Sequence, residues 1–174
     1  AYNTNSIHSS LINPSFVSSN KNFSITHQSR FSGIVNNDLF GIQLRSSSAP
    51  INLNFLYQGI SNIPDTRDML LDWGLDGQFG TNDFGEGNGV IDEGERLNEE
   101  KLKFFNQHQL GFHGAFKSNI FGLKLGLGLK LLGHFLDDHH AIGMGLDIGY
   151  NKKISKSTIG IVARDLPASG LIWD

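Results

Sequence analysis

Residues 121–134 read FGLKLGLGLKLLGH. Leu123, Leu125, Leu127, Leu129 and Leu131 occupy every second place, and Lys124, Gly126, Gly128 and Lys130 fill the places between them. On a helix these leucines and lysines would be spread together around the axis, whereas on a strand they separate into one aliphatic face and one small or charged face. The stretch is therefore predicted as a β-strand. A strand of about ten residues with one unbroken aliphatic face is the unit of a membrane barrel. A soluble sandwich strand carries a richer polar mixture outward and few glycines.

The same alternation recurs on both sides of this stretch. Upstream, Phe23 and Ile25 alternate with Ser24 and Thr26, and Phe40, Ile42 and Leu44 with Gly41, Gln43 and Arg45. Ile51, Leu53, Phe55 and Tyr57 alternate with Asn52, Asn54 and Gln58, with Leu56 breaking the polar face. After a long interruption come Leu110, Phe112 and Phe116 opposite Gly111, His113 and Ala115. Downstream, Ile142, Met144, Leu146, Ile148 and Tyr150 face away from Gly143, Gly145, Asp147 and Gly149, and Ile159 and Ile161 alternate with Gly160, Val162 and Arg164. About seven strands follow from this pattern. The connections Ser46–Pro50, Lys117–Asn119 and Asn151–Ser157 are short and polar, while the one after Tyr57 is very long, as at the two ends of a barrel. All four prolines are expected outside strand cores, because proline has no amide to donate.

Composition narrows the function classes. The 174 residues suit one domain, and no run approaches the roughly 20 apolar residues of a spanning helix. With 14 basic and 17 acidic residues and no basic stripe, nucleic acid is not an expected partner. The absence of cysteine removes thiolate nucleophiles and cysteine zinc sites. No phosphate loop, nucleophile elbow or triad spacing stands out, so no enzyme is expected. Residues 1–22, rich in Ser and Asn, read as an N-terminal periplasmic segment with a short amphipathic helix stopped by Pro14. Residues 23–174 read as a partial barrel, with an acidic extracellular loop at about 60–103. The LIW before Asp174 looks like the start of another strand. The expected fold is an all-β, antiparallel, up-and-down transmembrane β-barrel, of which this chain forms the N-terminal half.

The order of INPS at 12–15, LGLGLKLL at 125–132, AIGMGLDIGY at 141–150, a basic turn, STIGIVARDL at 157–166 and LIWD at 171–174 resembles the PorV/PorQ-type branch of the FadL-like bacterial outer-membrane barrels. The resemblance runs through most of the chain and is best from Leu110 onward. It implies a larger closed barrel with its lumen plugged by the N-terminal segment. It further implies an outer-membrane location, a lipid environment, and roles in carrying hydrophobic compounds or in type IX-like protein secretion. The competing expectation is a soluble, calcium-binding β-sandwich used in adhesion or scaffolding.

One stretch, DWGLDGQFGTNDFGEGNGVIDEGE at 72–95, carries recognisable site chemistry. Asp72, Asp76, Gly77 and Asp83 fall at the first, fifth, sixth and twelfth places of an EF-hand-like loop, with Gly74 at the third. A second register puts Glu86, Asn88, Gly89, Ile91, Asp92 and Glu95 at the third, fifth, sixth, eighth, ninth and twelfth places, with Phe84 at the first. Oxygen ligands without Cys or His select Ca2+. The bland alternative is a solvated acidic loop whose glycines allow turns. His134, Asp137, Asp138, His139 and His140 form a weaker metal candidate, since neighbours at a hairpin tip point apart. Lys124, Lys130, Asp147 and Arg164 fall on the inward face and are expected to pair there as a lumen charge network. Leu127→Arg is expected to cost about 2–4 kcal/mol and to block folding into detergent or bilayer far more than Gly126→Ser on the opposite face.

Overall fold

Alternation becomes strand along most of the chain. The computed structural model describes residues 6–17, 21–44 and 50–174, with backbone alone at 168 and 169. Its strands are β1 (Asn22–Arg30), β2 (Val35–Leu44), β3 (Ile51–Asp65), β4 (Leu70–Leu71), β5 (Arg96–Leu97), β6 (Lys103–Ile120), β7 (Leu123–Leu136), β8 (His139–Ile154) and β9 (Ser157–Trp173). No α-helix occurs among the described residues. Seven strands form one up-and-down sheet in the order β1-β2-β3-β6-β7-β8-β9, and β4 pairs with β5 separately. The sheet is open, with β1 and β9 as its edges, so the all-β antiparallel expectation holds while closure into a barrel is not seen. The chain divides into two units, one of residues 1–60 with 107–174 and one of Ser61–Asn106.

Several expected boundaries move. Lys117–Asn119 belongs to β6, where Ser118 pairs with Leu125 and Asn119 with Lys124. The turn is Phe121–Gly122, with φ of 51° and 78°. Glycine takes that conformation at no steric cost, and two positive φ values give the twist a two-residue hairpin needs. Both β3 and β6 run further into the acidic interruption than their alternation reaches. Pro64 and Pro167 lie inside β3 and β9, against expectation. Pro167 is tolerated because β9 is an edge strand whose register with β8 is already broken around Leu146. The turn expected over Ser46–Ala49, and Arg45 with it, lie outside the described residues.

The two faces of the sheet differ in kind. Phe23, Ile25, Phe40, Phe55, Leu110, Leu129, Leu131, Ile142, Met144 and Ile161 lie on one face and are exposed. The other face carries Gly41, Gln43, Asn52, Asn54, His113, Ala115, Gly126, Gly128, Asp147 and Gly149, all buried. Gly41, Asn52, Asn54, Gly126, Gly128 and Gly149 are covered by the N-terminal segment. Instead of one amphipathic helix it forms two short 3-10 turns, Ile7–Leu11 and Pro14–Phe16. Pro14 disfavours helix at the residue before it, and Asn13 is extended at φ −151° and ψ 117°.

The fit is closest where the face has no side chain. A Cβ at Gly126 would collide with the backbone of Pro14 and Ser15, and one at Gly149 with the Asn13 side chain. The inward position at Gly126 is occupied by backbone that cannot yield as a flexible side chain would, so the gap expected between Leu127→Arg and Gly126→Ser narrows. Gly126→Ser and Gly149→Ala should each destabilise the fold by about 1–3 kcal/mol and make residues 7–17 accessible to protease. Gly114→Ala, whose new methyl meets only ordinary contacts beyond 3.4 Å, should do neither. Thermal unfolding and limited proteolysis of the three variants check this.

Candidate functional site

Two regions bring functional side chains together. The first is the inner face of the sheet. Buried backbone must find hydrogen-bond partners, and here amide side chains supply them. Asn52 Nδ2 donates to the Ile7 carbonyl at 2.8 Å, and Ser10 Oγ donates to Asn52 Oδ1 at 2.7 Å. Asn13 Nδ2 donates to the Ile161 carbonyl at 3.1 Å, while its Oδ1 accepts from Ser15 N at 2.9 Å. Asn151 Nδ2 donates to the Ser15 carbonyl at 2.7 Å.

Beyond the covered region lies a charge layer. Lys130 Nζ is 2.9 Å from Asp147 Oδ1 and 2.6 Å from Asp165 Oδ1, and Asp147 is only 3% exposed. The expected network thus contains Lys130 and Asp147 but is corrected at two members. Lys124 stands exposed near the start of β7 in no ion pair among the described residues, and Arg164 donates to the Ile12 carbonyl. Asp165 was not among the predicted residues. Its positive φ of 58° and the broken register at Leu146 turn it inward, which simple alternation does not show. His113 is buried beside this layer, and neither ring nitrogen has a hydrogen-bond partner among the described residues.

Above the charge layer the inner face turns apolar. Leu39 pairs with Leu56 and Gly111 with Leu132, and across β8 Gly143 pairs with Leu171. Leu56, the one residue that breaks its strand's polar face, is therefore part of a leucine belt. With Leu11 of the covering segment these leucines line a cavity of about 720 Å³, whose polar lining includes Gln28, Arg30, Gln58, Gln109, His113 and Lys130. An apolar belt bordered by a few polar groups has the composition of a site for a mainly apolar ligand.

The second region is the acidic segment. The structure interlocks the two expected EF-hand registers rather than forming either. Asp72 accepts from the backbone of Gly87 and Gly89 at 2.8 and 2.7 Å, in the middle of the second register. Asp83 Oδ2 accepts from Asp76 N at 2.7 Å, Asp76 Oδ1 from Gln78 N at 2.8 Å, and Glu86 from Gly80 and Asn82. Glu95 accepts from Gly74 N at 3.0 Å and Asp92 N at 2.9 Å, and Asp92 accepts from the Asn88 amide at 2.6 Å. Asp72, Asp76, Asp83, Glu86 and Glu95 thus accept from backbone N–H groups of the glycine-rich turns, and no three His, Asp or Glu side chains converge as a metal cage among the described residues. One oxygen stands apart. Asp83 Oδ1 is buried with no hydrogen-bond partner among them. A Cβ at Gly74, the third place of the first register, would collide with it.

The histidine-rich hairpin is engaged otherwise. His140 Nδ1 is 2.7 Å from Asp174 Oδ2, and the His140 backbone N–H holds the Asp174 carboxyl below the usual carboxylate range. His134 is 2.9 Å from Gln107 Nε2, with its ring 5.1 Å from that of Trp173.

The sequence matches no protein-family model, no curated protein and no solved structure.

At the entry to the acidic segment, Arg67 grips Asp65 through Nε and a terminal nitrogen at 2.8 and 2.6 Å, with its backbone N–H adding a third bond. These bonds hold the Asp65 carboxyl down to about 2. A depressed carboxylate favours the folded turn above its unfolded value of 3.8, and that preference is lost as pH falls through about 2. Arg67→Gln should raise the Asp65 titration toward the ordinary carboxylate range, with the backbone N–H of residue 67 still holding it partly down. Side-chain carboxyl chemical shifts followed through acid titration check the change.

Proposed function

We propose that the chain is the sheet of a bacterial outer-membrane β-barrel protein of the PorV/PorQ-type, FadL-like kind, carrying hydrophobic compounds. The single observation that supports this reading is the inversion of the faces. Serine, asparagine, glutamine, histidine and aspartate are buried, while phenylalanine, isoleucine, leucine and methionine stand exposed in rows along the strands. In water such rows would leave apolar area uncovered at about 25 cal/mol per Å², whereas in hydrocarbon they are the favoured surface. Of the two roles the resemblance implies, carriage of hydrophobic compounds has the leucine belt in its support, and the segment 7–17 is then the plug. The long acidic segment is the extracellular loop.

In this proposal calcium orders the acidic loop. Its donor set is entirely carboxylate and amide oxygen, which suits a hard cation, and Asp83 Oδ1 is a buried oxygen with an unmet need for a positive partner. Asp72, Asp76, Asp83, Glu86, Asn88, Asp92 and Glu95 supply that oxygen set. Calcium there neutralises carboxylates that repel one another when the glycine-rich chain closes up.

Two outcomes are expected. The chain should require detergent or lipid to remain dispersed, and Leu127→Arg should lower its folding stability in a bilayer by about 2–4 kcal/mol while Gln58→Ser on the inner face is silent. A cooperative monomer on size-exclusion chromatography in plain buffer would instead make the chain a soluble β-sandwich. Millimolar calcium should protect the loop from protease, and Asp76→Ala with Asp92→Ala should abolish that protection. Identical digestion with calcium and with chelator would leave only a solvated acidic loop.

A further inference from the structure

The two ends of the seven-stranded sheet carry opposite charge. At the end where β1, β7 and β9 begin stand Lys21, Lys117, Lys124, Lys152, Lys153 and Lys156, and no Asp or Glu lies among them. None of the six is in an ion pair among the described residues, and all but the half-buried Lys117 are exposed. In the same unit, Asp38, Asp137, Asp138 and Asp174 belong to the opposite strand ends, and Asp147 and Asp165 are mid-strand partners of Lys130. Among the described residues of this unit no acid stands at that end to pair with them; Lys117 and Lys124 belong to the inward rows of β6 and β7, and Lys152 to the outward row of β8.

Their relation to the apolar face says what neutralises them. The outward row of β8 runs Ile142, Met144, Leu146, Ile148, Tyr150 and then Lys152, so the row passes from exposed aliphatic to aromatic to cationic along one line. Lys152 pairs across the sheet with Ile159, which is itself 54% exposed. Its stem can therefore lie along apolar surface with the ammonium at the edge of it, as lysines do where hydrocarbon gives way to headgroups. On the β6–β7 turn at the same end, Phe121 is fully exposed, an aromatic ring placed where interfacial rings anchor a barrel. An acidic protein partner would account for the charge, but not for the apolar row that leads up to it.

We infer that the part of this rim at the β8–β9 turn, Lys152, Lys153 and Lys156, binds the phosphates of anionic phospholipids in the leaflet that surrounds the short-turn end, and so selects those lipids from neutral ones. The inference rests on the membrane reading of the sheet. Lysine binds phosphate as a point charge, and near a membrane surface each lysine shifts binding by about fivefold.

The test reconstitutes the full chain into vesicles of equimolar phosphatidylcholine and phosphatidylglycerol. Phe121→Trp, combined with Trp73→Phe and Trp173→Phe, puts the only tryptophan at the rim, and quenching by brominated phosphatidylglycerol is compared with quenching by brominated phosphatidylcholine. The expected result is a preference of about fivefold or more for the anionic lipid, lost on Lys152→Gln with Lys153→Gln and Lys156→Gln and weakened at high ionic strength. Since these variants can impair folding, the unmodified chain is also extracted from the same vesicles and its retained lipid is analysed. Enrichment of phosphatidylglycerol that is reduced by salt supports the rim. Equal quenching and equal retention of the two lipids overturn it while leaving the membrane reading intact, and quenching by neither lipid overturns both. A preference that survives the three substitutions overturns the assignment to these lysines.

Discussion

The rest of the structure depends on backbone lying against backbone at the inner face of the sheet. Residues 7–17 approach β7 and β8 so closely that Gly126 and Gly149 have no room for a methyl group. A segment placed there loses water around its carbonyls and amides, and each would cost free energy if left unpaired. Asn13, Asn52 and Asn151 meet that need because an amide side chain both donates and accepts. The sheet is thus filled by polar contacts rather than by an oily core.

With the covered part of the interior settled in that way, most of the aromatic and aliphatic residues of the strands lie on the outside. Phe40, Phe55 and Phe112 illustrate the consequence: their rings meet at 6.1 and 5.1 Å along the outer surface, stabilising neighbouring strands from the exposed side. The inner face is zoned as well. Polar groups and glycines hold the covering segment, a lysine lies between two aspartates, and leucines follow. The zones arise because strands pair in register, so one residue per strand at a given level builds each layer.

Much of this was legible in residue order. Alternation at Leu123–Leu131 and Ile142–Tyr150 marked the strands and their faces, since a period of two has one structural solution. Leu56 was visible as an exception, but its partners Leu39, Leu132 and Leu171 come from three other strands and no local pattern joins them. The acidic segment showed its oxygen chemistry plainly. Its wiring was hidden, because Asp72 bonds the amides of Gly87 and Gly89, fifteen and seventeen residues on.

Sequence by itself determined the strand class, the face taken by side chains in the regular strands and the kinds of chemistry available, because these follow from spacing and residue type. Tertiary structure decided which residues meet. Asp165 replaced Lys124 in the charge layer because an irregular register turns the chain, and serine is excluded at Gly126 because a distant proline occupies the space above it. Both outcomes depend on contacts between segments far apart in the chain, and packing at such contacts is set by three-dimensional position rather than by local periodicity.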